Sequence, residues 1–172
     1  LHSFPTRRSS DLLAMGFYPE AVGHQMQRAR PDDHLLIYCR SGKGWLETAD
    51  GRLEVVAGDL LLLPKGVAHA YGADGQSPWT IYWVHFDGSL SQDFLHLLGA
   101  QMQRRIGVQP RLLGDFEALL GLQRQGLNAA PAIHAAHRLQ AMLSSLAVLP
   151  ARVNLKSGRV LDIEAVQAVI AE

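Results

Sequence analysis

This 172-residue chain is short of three things: cysteine, net charge and long apolar runs. Its single cysteine, Cys39, rules out an internal disulfide and fits a protein kept in a reducing compartment. Lying in an apolar stretch, Cys39 reads as a small buried hydrophobe. Sixteen basic and sixteen acidic side chains cancel, so the segment has no charge excess with which to hold a nucleic-acid backbone. No apolar run approaches the roughly eighteen residues needed to cross a bilayer. Arg7 and Arg8 are followed by Ser9, Ser10 and Asp11 where an export signal would begin its apolar core, so export is not expected. Histidine is also missing from the whole stretch between Gly42 and Gly51, a gap that bears on metal binding below.

What is present is enough apolar material, 48% of the residues, for one core and one domain with an appendage. The chain is organised around Gly58 to Gly88. Leu60 to Leu63 reads as a buried strand and Pro64-Lys65-Gly66 as a turn; His69 to Tyr71 and Trp79 to Phe86 read as further strands. In an extended strand Trp79, Ile81, Trp83 and His85 share one face, and Thr80, Tyr82, Val84 and Phe86 the other. Rings on one face either fill a core or line a cavity, where a flat ring stacks on the apolar face of a sugar and its polar edge meets a hydroxyl.

Upstream, His34 to Cys39 reads as a buried strand and Ser41-Gly42-Lys43-Gly44 as a turn with positive-φ positions. Trp45 to Thr48 and Arg52 to Val56 flank Ala49-Asp50-Gly51, whose Asp-Gly predicts a type I′ hairpin. Gly16, Pro19 and Gly23 predict an irregular or extended segment over Leu13 to Arg30. After Gly88 the period lengthens to about 3.6. The spacing predicts a short helix over Ser91 to Leu98, a connector over Ile106 to Leu113, and a helix from an Asp115 N-cap to Gln125. A further helix begins near Pro131 and runs to about Val148. In that last helix Ala132, Ala135, Leu139, Met142, Leu146 and Leu149 follow coiled-coil spacing, a seam that needs a sister helix or a second subunit. His134 and His137, three apart, fit an exposed helix face better than a metal site.

The run G-D-L-L-L-L-P-K-G-V-A-H-A-Y-G, followed by P-W-T-I-Y-W-V-H-F-D-G, resembles the effector-binding domain of AraC-type transcription regulators. The likeness extends upstream through His34 to Cys39 and Gly42 to Gly44, and more loosely to about residue 149. It implies a mainly β fold, a cupin-like antiparallel jelly roll followed by an α-helical dimerisation segment. It also implies a cytoplasmic sensor of a sugar-like small molecule, with no cofactor and no membrane, that meets DNA through a helix-turn-helix domain absent here. By that likeness residues 13–30 form an arm, 31–88 the effector-binding jelly roll and 89–149 the helical dimerisation region. Residues 150–158 form a linker and 159–172 the start of a truncated DNA-binding domain. Residues 1–12 resemble a translated sequencing adapter and are expected to be non-native. The resemblance implies effector contacts from Arg28, Tyr71, Trp79, Ile81 and Trp83, and a homodimer contact through Leu139, Met142 and Leu146.

Two rival readings remain open. Gly58, Pro64, Gly66 and His69 also resemble the second conserved motif of cupins, whose histidine binds metal, so a metal-dependent cupin enzyme of the sugar isomerase or dioxygenase type is the alternative. It lacks the His-x-His pair on an earlier hairpin, and Ala73 stands where that motif continues to asparagine. The other rival is a β-domain that only dimerises, its aromatic face closed into core.

Overall fold

Leu35 to Cys39 and Leu60 to Leu63 contain no polar residue to alternate with the apolar ones, so strands built from them must be covered on both faces. The computed structural model, which describes residues 11–98, 101–126 and 128–149, shows how this is met. Nine strands are described: β1 (Asp11–Tyr18), β2 (Gln25–Arg28), β3 (His34–Ser41), β4 (Lys43–Thr48), β5 (Gly51–Val56), β6 (Asp59–Leu63), β7 (His69–Ala73), β8 (Thr80–Asp87) and β9 (Gln103–Arg105). Three helices accompany them: α1 (Ser89–Leu98), α2 (Pro110–Arg124) and α3 (Ala129–Val148). The strands form two antiparallel sheets, a five-stranded one ordered β1-β8-β3-β6-β9 and a four-stranded one ordered β2-β7-β4-β5. This is a mainly β fold of the jelly-roll type with helices after the strands.

The larger sheet is the shared wall. One of its faces, through Leu35, Ile37, Cys39, Leu61, Leu63 and Ile81, packs towards the smaller sheet and meets Leu46, Val55, Tyr71 and Trp79. The opposite face, through Leu36, Tyr38, Leu60, Leu62, Tyr82, Val84 and Phe86, is covered by residues of the helices such as Phe116, Leu119, Leu139 and Met142. Phe116 fixes α2 on the sheet. Its ring lies 4.9 Å from Tyr82 and 5.9 Å from Tyr38, nearly parallel to both. The phenols stay hydrogen-bonded: Tyr82 Oη donates to Glu117 Oε1 at 2.6 Å, and Tyr38 Oη donates to Gly107 O at 2.7 Å while accepting from Gln109 N at 2.9 Å. On the β1 edge the Gln123 amide replaces a strand partner, accepting from Met15 N at 3.1 Å and donating to Met15 O at 3.0 Å.

Several sequence expectations change in detail. Residues 13–30 supply two paired strands, and β1 runs alongside β8 from Asp11↔Asp87 to Tyr18↔Ile81. The hairpin over β4 and β5 forms, but Gly51 alone in its turn has positive φ, at 117°, and pairs with Thr48. Ala49 and Asp50 are therefore the loop, followed by a glycine in the position of a bulge, and the turn is not type I′. The turn expected over residues 41–44 is only a kink at Gly42 between two strands; Gly44 lies inside β4, where a Cβ would overlap the Trp79 ring. Helix α2 starts at Pro110 rather than at an Asp115 cap, because proline's fixed φ suits the first turn and Gly114 is tolerated within it. The short strand β9 gave no period long enough to read. The linker 150–158, the segment 159–172 and most of residues 1–12 lie outside the described residues. No helix among the described residues is long and apolar enough to cross a membrane.

Leu139, Met142 and Leu146, expected at a subunit contact, are buried in the chain's own core at 0%, 1% and 2% exposure. Their seam is satisfied within the chain by the packing of α3 on α2, α1 and β1. Leu139→Ala is accordingly expected to lower unfolding free energy by about 2–5 kcal/mol in urea titrations. A much smaller loss, coupled to dissociation on dilution, would instead place Leu139 between subunits.

Candidate functional site

Strand β8 divides its side chains between two environments. Tyr82, Val84 and Phe86 enter the helix-side core, whereas Ile81, Trp83 and His85 face a cavity of about 250 Å³ between the sheets. The same alternation brings Met26 from β2 and Tyr71 from β7 to that cavity as cross-strand partners, and Ile37 from β3, which pairs with Trp83. Tyr18, at the end of β1, and His24, just before β2, complete the lining.

Three of the five expected effector residues thus come together here: Tyr71, Ile81 and Trp83. Trp83 is partly buried and held flat by an absence, since it pairs with Gly16 on β1 and a Cβ at Gly16 would overlap its six-membered ring. Trp79 is not part of the lining. It precedes β8, is fully buried, and supports the wall by donating Nε1–H to His24 Nδ1 at 3.3 Å. His24 in turn stacks on Tyr18 at 5.0 Å. Arg28 lies one step beyond the lining pair Met26–Tyr71, where it is the cross-strand partner of His69. Its Nη2 donates to Asp33 Oδ1 at 2.6 Å, and the same oxygen lies 3.1 Å from His85 Nδ1.

The residues that sequence reasoning did not assign to the site are Tyr18, His24, Met26, Ile37, Asp33 and, as a lining residue, His85. His85 was legible as the next position on the Trp83 face, and Met26 as two positions before Arg28. Nothing local marks Tyr18 or His24, because their place is set by how β1 and the following loop dock on other strands.

Electrostatics at the site are governed by desolvation. Burial holds the imidazoles of His24, His34 and His69 below their ordinary 6.5; nearby Arg28 and His85 push His69 down further, against its bond to Val67 O. Burial pulls Asp33 upward, but the hydrogen bonds and charges of Arg28 and His85 outweigh it and hold the carboxyl below 3.8. Burial raises the Tyr71 phenol, which stays protonated at neutral pH. No group of three His, Cys, Asp or Glu side chains converges as a metal site among the described residues. The depressed histidines mean that the unfolded chain binds more protons than the folded one once pH falls through 6.5. Stability is therefore expected to fall with pH below that point, and His69→Gln to flatten the decline in the thermal midpoint measured across that range.

Comparison with known proteins agrees with this geometry. The family model for the AraC-like ligand binding domain matches residues 15–152. The MmsAB operon regulatory protein of Pseudomonas aeruginosa is 38% identical over 174 residues, covering 98% of this chain and 55% of that protein. The raffinose operon transcriptional regulatory protein RafR of Pediococcus pentosaceus is 35% identical over 60 residues, 34% of this chain and 22% of its own length. The chain thus spans about half, or less, of the regulators it matches. Among solved structures, an apo ToxT variant from Vibrio cholerae superposes with a TM-score of 0.50 at 9% identity, covering 85% of this chain and 60% of that one, a likeness of fold. With most of its length inside the family model, this chain belongs to the AraC-like ligand-binding domain family, a binding module rather than an enzyme.

Proposed function

We propose that this chain is the effector-sensing part of an operon regulator and takes a small, sugar-like molecule into the cavity beside Trp83. The observation that carries the reading is the cavity itself, set between the two sheets and walled by Trp83, Tyr71 and Ile81 in a chain of the ligand-binding family. The indole lies directly against Gly16, where a side chain would displace it, and it offers the flat apolar surface that suits the apolar face of a sugar ring. Tyr71 and His24 supply polar edges beside it. A relative named for a raffinose operon supports the sugar class, although the match covers only a third of the chain. Ile37 and Ile81 remove hydrogen-bonding capacity from two wall positions, so arabinose itself is not carried over as the ligand.

The output is altered promoter binding, exerted in the cytoplasm through a DNA-binding domain outside this chain. Effector binding shifts the populations of two arrangements by no more than its difference in affinity for them. A homodimer is proposed as the working assembly. With the Leu139 seam turned inward, the outward side of α3, where Ile133 is 47% and Val148 81% exposed, is the face left to meet a second copy.

Titration of the chain with pentoses, hexoses and disaccharides is expected to give saturable quenching of tryptophan emission. Trp83→Ala should weaken binding roughly 3- to 10-fold, in keeping with the ~0.5–1.5 kcal/mol of a stacked pair. Equal affinity in Trp83→Ala would remove Trp83 from the site. Gly16→Ala should displace the indole into the cavity, altering its emission and weakening binding while circular dichroism stays that of the folded sheet. Unchanged emission and affinity would show that the ring is not held by β1.

A further inference from the structure

Four buried side-chain atoms have no hydrogen-bond partner among the described residues: Arg28 Nη1, His34 Nε2, Asp59 Oδ1 and His69 Nε2. Two of these face a charge, His34 Nε2 at 3.8 Å from Asp87 Oδ1 and Asp59 Oδ1 at 3.3 Å from Arg105 Nε. The other two, Arg28 Nη1 and His69 Nε2, have neither a bond nor an ion pair at that atom, and a buried polar group left so is costly. They are also neighbours. Arg28 and His69 are direct cross-strand partners in the β2–β7 pair, on the face that carries Met26 and Tyr71 into the cavity one step further along. His69 stacks on Tyr71 at 5.9 Å, and the lining residue His85 reaches Arg28 through the shared Asp33 carboxylate.

We propose that Arg28 and His69 form the head-group subsite of this cavity, that its ligand is a small molecule bearing a carboxylate, and that the carboxylate binds together with one proton. The proposal rests on the reading of the cavity as the effector site, and adds the chemistry of the effector to it.

The argument is one of donors, acceptors and charge. His69 Nδ1 lies 3.0 Å from Val67 O, which only accepts, so Nδ1 carries the hydrogen and a neutral ring leaves Nε2 as a lone pair. The Arg28 guanidinium is paired with the Asp33 carboxylate, so the charges beside the cavity are balanced before a ligand arrives. Adding a bare carboxylate would set it against the His69 lone pair and bury a net negative charge. Adding a proton with it removes both penalties. One carboxyl oxygen accepts from Arg28 Nη1, and the proton sits between the other oxygen and His69 Nε2; in either position solvent gives up one proton and no other bond changes. Arg28 and His69 are cross-strand partners and neither orphaned atom bonds the other, so the two oxygens on one carbon suit the pair, one for each. The charged and titratable groups around His69 are Arg28 on β2, Asp33 in the loop before β3, Tyr71 on its own strand and His85 on β8. Of these, Arg28 and His85 share the one carboxylate of Asp33. Beyond this end the walls are Met26, Ile37, Ile81 and Trp83, which fit the body of a sugar acid on its apolar face or of a short-chain or aromatic acid.

Calorimetric titration of the full chain with matched pairs tests the inference: galacturonate against galactose for the sugar source, butyrate and benzoate against butyramide and benzamide for the other. The acid of at least one pair is expected to bind at least roughly tenfold more tightly than its neutral counterpart. Its affinity should rise as pH falls from about 7.5 towards 6, approaching tenfold per unit as one proton is taken up. His69→Gln, whose amide can donate without being protonated, should keep acid binding and lose that pH slope. Arg28→Gln should weaken the acids far more than the neutral ligands, with circular dichroism reporting that each variant is folded. Neutral sugars that bind as well as their acids, with no pH slope, would overturn the carboxylate inference and leave the effector site standing. Binding of no ligand in the set that depends on Trp83 would overturn both.

Discussion

The constraint on which this structure depends is that its larger sheet has no wet face. With Leu35 to Cys39 and Leu60 to Leu63 at its centre, it is stable only if one layer covers each side, and the chain supplies a second sheet for one and three helices for the other. The cavity follows from this arrangement. Between β8 and the β2–β7 pair, the inward positions carry rings and a few polar tips among the aliphatic side chains. Helix packing on the far side holds the same strand, so Trp83 and Tyr82, adjacent in sequence, report to opposite layers.

Polar groups at the site are few and shared. Asp33 holds both Arg28 and His85 with one oxygen, and Trp79 and His24 satisfy each other. Such economy preorganises the pocket, because none of these side chains can turn without leaving a partner unpaired in a poorly solvated place. It also explains why a residue outside the lining, Trp79, still matters to it.

The legible part of the fold was the part encoded by local periodicity. Strands β3, β6 and β8, the β4–β5 hairpin and the helix ending at Val148 follow from alternation, from Gly51 and from 3.6-residue spacing. What escaped was set by distant contacts: β9 is too short to carry a period, and β1 becomes a strand because β8 offers it an edge. At the site the sequence identified Tyr71, Ile81 and Trp83 by face and family likeness, but Trp79, though on the same inter-sheet side as Ile81, is fully buried ahead of the strand and lines no part of the cavity. Coiled-coil spacing in α3 marked a buried stripe correctly while saying nothing about which surface would cover it, and the chain's own core does so.

The Gln123 clasp on Met15 has a consequence for synthesis. An edge strand with free amide and carbonyl groups is a template on which another chain can add itself. Here one side-chain amide occupies that slot on β1, and the two residues lie 108 positions apart. During translation β1 can pair once β8 has emerged, at residue 87, but the clasp is missing until residue 123 follows, so the edge is bare through that interval. A chain that has made β8 but not yet residue 123 leaves the Met15 amide and carbonyl open to strand addition, and the arrival of α2 closes them.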